Sequence, residues 1–251
     1  MASSTDPADG LTGSDALRAA ADTMRAVRDR CVWSQRITHA DLVPYLVEET
    51  AELIDAVEVG TRTDLREELG DLLWQVLFHA AIAAEDPDDP FDIDDVAAML
   101  SEKMMRRHPH VFADAVATTP EEVLVHWNAA KAAEKHTRRS VLDGISPHMP
   151  SLSLSQKLLS RAAALPTPAR HAQRPETPAV DRGLGADPVS RGHAPETEGE
   201  LGSALLRLVE VARLRGWDAE RALRGAIRLL EGEIRAAESG VEESPAADLE
   251  E

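Results

Sequence analysis

Apolar side chains recur every three or four residues along most of the chain, the spacing that places them on one face of a helix. Turn signals such as Gly60 and the stretch from Pro87 to Pro90 interrupt this pattern. The fifth periodic segment also begins with a capping box, formed by Thr119 and Glu122 around a proline. The pattern predicts helices at residues 14–30, 40–59, 63–86, 94–107, 120–136, 151–165, 200–215 and 218–239.

Three segments lack this periodicity. Residues 1–13 are small and polar, residues 166–199 are crowded with proline, glycine and arginine, and residues 240–251 are acidic. Such compositions are typical of disordered tails and flexible linkers. Between them, the sequence predicts a first helical domain at residues 14–145, a connecting helix at 146–165 and a second helical segment at 200–239.

The composition favours an all-α fold. Aromatic residues make up only 3% of the chain, whereas strands would need more aromatic and β-branched residues. The formal net charge of −18 repels phosphate backbones and anionic lipid, so it argues against a nucleic-acid or membrane binder. The sequence has a single cysteine, no apolar run long enough to span a bilayer and no signal-peptide pattern, so we expect a cytoplasmic protein.

Carboxylates at helical spacing are the candidate chemistry. On the second predicted helix, an apolar stripe runs from Leu42 to Val57, with Glu49 in the middle of it. Glu52 lies on the same side, about 60° from Glu49, while Glu48 lies farther round toward solvent. We therefore expect Glu49 to face the protein core.

The third predicted helix repeats the arrangement. Glu68 and Asp71 lie together on the flank of an apolar stripe that includes Leu69 and Val76. Residues three apart on a helix have Cβ atoms about 5–6 Å apart, so two such acid pairs on packed antiparallel helices could enclose a cation. Four like charges without a cation would repel one another strongly.

Oxygen ligands alone indicate Mg²⁺ or Mn²⁺ rather than zinc, which prefers histidine and cysteine. A di-iron bundle would need a Glu-x-x-His motif, and neither acid-rich segment has one. The competing interpretation is an ordinary solvated helix face, which a single Glu-x-x-Glu pair usually is. Two pairs in succession favour the metal site.

These acids and their surroundings resemble the MazG branch of the all-α nucleotide pyrophosphohydrolases. Val32 and Ser34 depart from this resemblance, since the family usually has proline and aspartate there. Besides the acids themselves, segments similar to the family's signatures occur at residues 31–34, 38–39, 42–46, 64–73 and 102–112.

The resemblance implies hydrolysis of a nucleoside triphosphate to the monophosphate and pyrophosphate. It implies that Glu49, Glu52, Glu68 and Asp71 hold Mg²⁺, and Glu48 is either a nearby general base or a surface glutamate. It also implies a helical bundle whose four-helix core is completed by a second chain, and hence a homodimer.

Basic and aromatic residues on the fourth and fifth predicted helices are candidates for substrate binding. Lys103 and Arg107 are one helical turn apart, as are Trp127 and Lys131. At matching positions, the family contacts triphosphate and nucleoside. The alternatives are a solvated basic face for the first pair and core packing for Trp127. Trp33 could stack on a base or anchor the first helix.

Three histidines near these segments are interpreted as structural rather than as ligands. His79 lies eleven residues, about three helical turns, beyond Glu68 and on its flank, where we expect it to be hydrogen-bonded. His108 and His110 belong to the family-like segment that ends the fourth helix.

Bacterial members of the family often carry two copies of this domain. The C-terminal part of the chain resembles a degraded second copy. Its remaining acid motif reads Glu200-x-x-Ser203, so an aspartate is missing. Leu229 and Glu233 stand where a lysine and an arginine would face phosphate. The sequence therefore predicts an inactive helical remnant that packs on the catalytic domain or helps dimerisation.

Two other functions remain open at this point. The same bundle could serve as a non-catalytic nucleotide-sensing module, although the complete acid set favours turnover. A narrower dCTP, dUTP or phosphoribosyl-ATP pyrophosphatase is the other alternative, although residues 106–110, Arg-Arg-His-Pro-His, favour MazG.

Overall fold

The computed structural model describes residues 13–134, 140–163, 165 and 194–242, and every regular element in these residues is helical. This confirms the predicted all-α class. The elements are α1 (Gly13–Arg30), a 3-10 turn (Ser34–Arg36), α2 (His39–Glu58), α3 (Arg62–Ala83), α4 (Ile93–Arg107), α5 (Pro109–Phe112), α6 (Pro120–Ala133), α7 (Ser151–Ala162), α8 (Glu198–Leu214) and α9 (Ala219–Glu242).

Several helices begin at a capping box, a pair of reciprocal hydrogen bonds. The side chain of the first residue accepts from the backbone N–H three residues later, and the side chain of that later residue accepts from the backbone N–H of the first. The box predicted for α6 is confirmed, since Thr119 accepts from the backbone of Glu122. Similar boxes fix the starts of α2, α3 and α4, through Thr38 with Asp41, Thr61 with Asp64 and Asp92 with Asp95.

α2 and α3 form a tight hairpin, which sets the register of the acidic residues. Gly60 lies in the short connection, and a Cβ atom at this position would lie only 2.6 Å from the Ala56 Cα atom. A larger residue would therefore clash with the backbone of the last turn of α2, and the chain could not leave that helix along the same path. Because the connection is so short, the helices are antiparallel neighbours, and residues in the middle of α2 lie opposite the first half of α3.

The core of the first half of the chain lies where α1, the start of α2 and the end of α3 meet. Met24, Leu42, Leu77 and Phe78 are buried there against one another. The buried apolar residues fall at one end of the hairpin. The middle, which carries the acids, is left more open.

The predicted packing faces of the acid-bearing helices were partly wrong. Val57, Leu69 and Val76 were expected in the buried stripes, but they are 66%, 52% and 42% exposed. On α3, apolar residues occur on every side, so periodicity alone does not select the face that packs. Contact with α1 selects it, and Gln75, Leu77 and Phe78 are buried instead.

A buried arginine joins α1 to the segment before α2. Arg28 is 7% exposed, and its guanidinium donates to both carboxylate oxygens of Glu85 at 2.8 and 2.7 Å. It also donates to the backbone oxygens of Ser34 and Ile37. The hydrogen bonds from Arg28 to Glu85 hold the pKa of the Glu85 carboxyl below its usual value. Arg28 thus ties the 3-10 turn to the residues that follow α3.

The chain divides into two compact units, Met1–Lys135 and His136–Glu251. In the second unit, α7 packs against α8 and α9, with Leu159, Val209 and Ala212 buried. α8 begins two residues earlier, and α9 ends three residues later, than the predicted segment 200–239. The predicted tail at 1–13 and linker at 166–199 lie mostly outside the described residues, as does the acidic tail beyond Glu242.

Candidate metal and nucleotide site

Three predicted acids come together across the α2–α3 hairpin. One carboxylate oxygen from each of Glu49, Glu68 and Asp71 lies within 4.8 Å of the others. Glu68 and Asp71 share a face of α3 because they are three residues apart, and the hairpin brings Glu49 of α2 opposite them. Glu49 and Glu68 are half-buried, whereas Asp71 is exposed, so the cluster is open to solvent on one side.

The pKa of each of the two half-buried glutamates is raised. For Glu49, burial is the largest cause, followed by the charges of Asp71 and Glu52. For Glu68, burial again comes first, followed by the charges of Glu52 and Asp71. Both groups are therefore held in an environment that disfavours their ionised forms, and a bound cation would reverse that preference.

Glu52 and Glu48 lie at the edge of this cluster. Glu52 is exposed, but its charge raises the pKa of both Glu49 and Glu68, so it lies near both. Glu48 is also exposed, and its charge raises the pKa of Glu49 less than the charges of Asp71 and Glu52 do. The structure thus places Glu52 closer than Glu48 to the electrostatic centre of the group.

The donor set suits a hard divalent cation. All four acids supply oxygen, which Mg²⁺ and Mn²⁺ prefer. Two buried oxygens beside the cluster, Glu68 Oε2 and Gln75 Oε1, have no hydrogen-bond partner among the described protein atoms. Buried acceptors without donors are costly, and a cation with its water shell would satisfy such groups.

Gln75 was missed by the sequence interpretation. It lies four residues beyond Asp71 and is 5% exposed, and its side-chain amide acts to lower the pKa of Glu49 while burial and the neighbouring acids raise it. The available signal was a polar residue, one turn beyond an acid pair, inside the otherwise apolar run from Leu72 to Phe78.

The predicted substrate residues Arg107 and Trp127 form a second group, between α4 and α6. The Arg107 guanidinium lies 5.0 Å from the centre of the Trp127 ring. It also pairs with Glu134, with 2.5 Å between Nη2 and Oε2, and this holds the pKa of the Glu134 carboxyl below its usual value. Arg106 reaches the same carboxylate at 3.5 Å. The Arg107 side chain is thus held in a fixed position between an aromatic ring and a carboxylate.

The other predicted substrate residues are more dispersed. Lys103 is half-exposed on α4, one turn before Arg107, and Lys131 is half-exposed on α6. Trp33 is 52% exposed and contacts Tyr45 and Phe78 edge to face, with ring centres 6.3 and 6.1 Å apart. Trp33 therefore packs on α2 and α3 while much of its surface stays open.

The histidines that were interpreted as structural all have neighbours in the protein. His79 shares a hydrogen bond with His39, with 2.7 Å between their Nδ1 atoms. Burial, and then the nearby charge of His39, lowers the pKa of His79. His108 Nδ1 lies 2.7 Å from the Met104 backbone oxygen, and the His110 ring packs near those of His108 and His126.

In the second unit, the residues at positions equivalent to the acids and the basic pair of the first domain make only local contacts or are exposed. The Ser203 hydroxyl donates to the Gly199 backbone oxygen at 2.9 Å, and Glu200 accepts from the Glu196 backbone N–H at 2.8 Å. Leu229 is 72% exposed, and Glu233 is exposed on the same helix. Among the described residues of the second unit, these positions do not bring acids together as Glu49, Glu68 and Asp71 are brought together in the first unit.

Fold and site together define an all-α protein with a candidate divalent-cation site on a helical hairpin. Comparison with known proteins agrees with this class. The family model of the MazG nucleotide pyrophosphohydrolase domain matches residues 37–112, which cover α2 to α5 and all the acids of the cluster. Trp33, Trp127 and Lys131 lie outside the matched range.

Individual relatives cover more of the chain. The "Uncharacterized 26.1 kDa protein in blaB 3'region" of Streptomyces cacaoi is 47% identical over 86% of this chain and 80% of its own length. The "Nucleoside triphosphate pyrophosphohydrolase/pyrophosphatase MazG" of Thermotoga maritima is 37% identical over 79% of this chain and 75% of its own. The chain belongs to the MazG nucleotide pyrophosphohydrolase family.

Other relatives are longer than the region that matches. The "Nucleoside triphosphate pyrophosphohydrolase" of Mycobacterium tuberculosis is 47% identical over 58% of this chain, and the match spans 44% of the relative's own length. The chain therefore spans less than half of that protein.

Proposed function

We propose that this protein hydrolyses nucleoside triphosphates, including deoxy and noncanonical ones, to the monophosphate and pyrophosphate, as part of nucleotide-pool housekeeping. The observation that carries the proposal is the cluster of Glu49, Glu68 and Asp71, with one oxygen of each within 4.8 Å of the others. Relatives in Mycobacterium tuberculosis and Thermotoga maritima are named for this activity.

In the proposed mechanism, Glu49, Glu52, Glu68 and Asp71 hold Mg²⁺, with Mn²⁺ as a possible substitute. The cation supplies charge neutralisation for the phosphate oxygens. Glu48 is proposed to accept the proton of the attacking water, since it adjoins the cluster yet stays exposed and outside the cation's ligand set. Cleavage of the anhydride between the α and β phosphates then releases pyrophosphate.

The group around Arg107 is proposed to bind the substrate. Arg107 and Lys103 lie one turn apart on α4, where they can meet phosphate oxygens. Trp127 and Trp33 offer rings on which a base can stack, and Lys131 adds a further cation on α6. The pairing of Arg107 with Glu134 supports this role, since it fixes the guanidinium before substrate binds.

We also propose a cytoplasmic homodimer, with no nucleic-acid or membrane partner. The apolar side chains of Val47, Val57, Leu69 and Val76 are exposed on the α2–α3 hairpin, and a second chain could cover them to complete a four-helix core. None of the helices in the described part of the chain is long and apolar enough to cross a membrane. The second unit is proposed to be an inactive remnant.

The proposal is tested by incubating purified protein with a panel of canonical and modified NTPs and dNTPs and measuring pyrophosphate separately from orthophosphate. Pyrophosphate release that needs Mg²⁺ or Mn²⁺ supports it. Tight nucleotide binding with no product would instead support a nucleotide-sensing module.

A further inference from the structure

The apolar stripe on α9 has the spacing of a coiled coil. Its residues lie four, three and four positions apart, which is the alternation of a and d positions in a heptad repeat. They are Leu223, Ile227, Leu230 and Ile234, which are 48%, 46%, 55% and 49% exposed and together are called the α9 seam. We propose that this seam pairs with the α9 seam of a second copy of the chain, with the two helices antiparallel.

The seam faces away from the side on which its own helix packs. α9 is joined to the rest of its unit near its start, where Glu220 accepts from the Ser153 backbone N–H at 3.2 Å. Among residues 221–238, only Arg224, Gly225 and Arg228 are not exposed. At 100° per residue, their mean direction lies about 140° round the helix from the seam. Since a surface helix ordinarily turns its apolar stripe toward the core, this stripe is left for a partner.

The order of isoleucine and leucine along the seam suits a pair of helices. Ile227 and Ile234 occupy a positions, and Leu223 and Leu230 occupy d positions. In parallel coiled coils, this combination favours two strands over three or four. A second copy of α9 therefore fits the seam, and the charges beside it decide the orientation.

Those charges select the antiparallel orientation. Arg224 and Glu231 occupy e positions, and in an antiparallel pair e positions face e positions. Arg224 then faces the partner's Glu231, and the two-fold symmetry makes this ion pair twice. In a parallel pair, Glu233 at a g position would instead face the partner's Glu238 at an e position, and two pairs of like charges would result.

The existing contact of Glu231 does not oppose this pairing. Glu231 lies 3.9 Å from Arg235 of its own helix, and both side chains are more than half exposed. An exposed ion pair of this kind contributes little to stability, so Glu231 can exchange it for an arginine of the partner.

The composition of α9 argues against a membrane surface as the occupant. Residues 219–238 contain four arginines and four glutamates, so they have no net positive charge to attract anionic lipid. Four apolar layers are few for a stable interface. The pairing of α9 therefore strengthens the proposed hairpin homodimer, and the inference rests on that part of the proposed function.

The test places cysteines on the seam of full-length protein that also carries Cys31→Ser. In an antiparallel pair, residue 223 of one chain faces residue 234 of the other, whereas in a parallel pair each residue faces its own copy. Leu223→Cys together with Ile234→Cys should therefore give a covalent dimer under mild oxidation, and neither change alone should do so. Within one chain, the two positions are about 16 Å apart along the helix, too far for a disulfide.

Ala222→Cys together with Leu229→Cys is the matched control, because both residues are exposed on α9 but lie off the seam. This pair should not cross-link. Folded protein with cysteines at 223 and 234 that stays monomeric on a non-reducing gel would overturn the proposal. Equal cross-linking by the control pair or by either single variant would do the same.

Sedimentation over a range of concentrations gives a second measurement. Ile234→Asp should raise the dimer Kd at least about 10-fold, since it removes an apolar anchor from the seam. Its melting temperature should stay close to wild type, because Ile234 is half exposed within its own chain. Leu229→Asp should leave the Kd unchanged. If Ile234→Asp lowers the melting temperature but not dimer affinity, the seam packs within its own chain, and the proposal is wrong.

The proposed function and the pairing of α9 can fail separately. Protein that cross-links through α9 but releases no pyrophosphate would defeat the activity and leave the pairing standing. Protein that is dimeric and active yet does not cross-link through α9 would defeat the pairing alone.

Discussion

Glu49 and Glu68 show how single residues create the chemistry of the hairpin. Both are half-buried among other acids, and burial raises the pKa of each more than any neighbouring charge does. In the protein without a cation, their ionised forms destabilise the fold at neutral pH, since the folded state binds protons more strongly than the unfolded state does. A cation converts this repulsion into affinity.

We therefore expect Glu49→Gln and Glu68→Gln to fold but to lose activity. Each change keeps the shape of the side chain and removes a charge that the cation needs. The loss in kcat/KM should exceed about 100-fold, the upper range for residues that only orient a metal ligand. Without Mg²⁺, the melting temperature should hold or rise, because repulsion is relieved.

Glu67→Gln is the control for this pair, since Glu67 is exposed next to Glu68 and the change alters net charge equally. Its activity should stay close to wild type, whereas its melting temperature can also rise because the Glu67 charge raises the pKa of Glu68. Turnover at the wild-type rate by either Glu49→Gln or Glu68→Gln would remove that residue from the site.

At the scale of elements, Arg28 links α1 to the turn that carries Trp33. Arg28→Met removes its hydrogen bonds to Glu85, Ser34 and Ile37 together. Breaking a buried pair costs about 3–5 kcal/mol, and we expect the lower end because the Glu85 side chain is 53% exposed. Denaturant unfolding measures this loss, and tryptophan fluorescence should show a changed environment for Trp33.

The exposed pair of Arg25 with Asp22 provides the comparison, because both side chains are more than half exposed. Arg25→Met should change the free energy of unfolding by no more than about 0.5 kcal/mol. Equal effects of Arg28→Met and Arg25→Met would show that the Arg28 hydrogen bonds do not anchor the turn.

The Arg28–Glu85 pair also predicts a pH dependence. The pKa of Glu85 is lowered by its hydrogen bonds to Arg28. Its contribution to stability is therefore complete above the unfolded pKa of a glutamate, about 4.3, and is lost as the pH falls through the lower folded value. In Glu85→Gln, this part of the acid destabilisation should be absent from unfolding curves measured between neutral and acid pH.

The sequence predicted most helix positions because caps and turn residues act locally. Thr119 and Glu122 define the start of α6 within one turn of chain, and their predicted box is confirmed. The buried face of α3 was not predictable in the same way, since its apolar residues lie on every side. Contact with α1, which is distant in sequence, decides that Leu77 is buried and Leu69 exposed.

The spacing of the acids along each helix was enough to predict them as site residues. The contacts that their side chains and the substrate residues make between helices could not be predicted in this way. Glu68 and Asp71 are three apart in sequence, so a helix must bring them together. Glu49 meets Glu68 and Asp71 only because α2 packs on α3, and the pairing of Arg107 with Glu134 joins α4 to the end of α6. Such contacts depend on how helices pack, which the periodicity of a single helix does not specify.

For the whole molecule, the exposed apolar residues of the hairpin predict a homodimer. Leu69→Asp would place a charge in the proposed interface and should give monomers in sedimentation velocity runs. Leu229→Asp is the control, because Leu229 is also exposed but lies in the second unit. Wild-type protein that is monomeric and fully active at nanomolar concentration would contradict the dimer.

The second unit is predicted to be dispensable for chemistry. In it, Glu200 caps a backbone N–H and the Ser203 hydroxyl returns to its own helix, so neither group is arranged to hold a cation. A protein ending near His148 should retain metal-dependent pyrophosphate release, with a lower melting temperature if the removed helices cover apolar surface. A truncated protein that is folded and dimeric but inactive would show that the second unit contributes to the site.

The central claim is that the α2–α3 acids hold a divalent cation that is needed to release pyrophosphate from a nucleoside triphosphate. The most direct measurement compares wild type, Glu49→Gln and Glu67→Gln across the nucleotide panel, with pyrophosphate and orthophosphate quantified separately. The account predicts pyrophosphate from wild type and Glu67→Gln in Mg²⁺, none after chelation, and a loss greater than about 100-fold in Glu49→Gln. Orthophosphate as the product, or release that survives both chelation and Glu49→Gln, would contradict it.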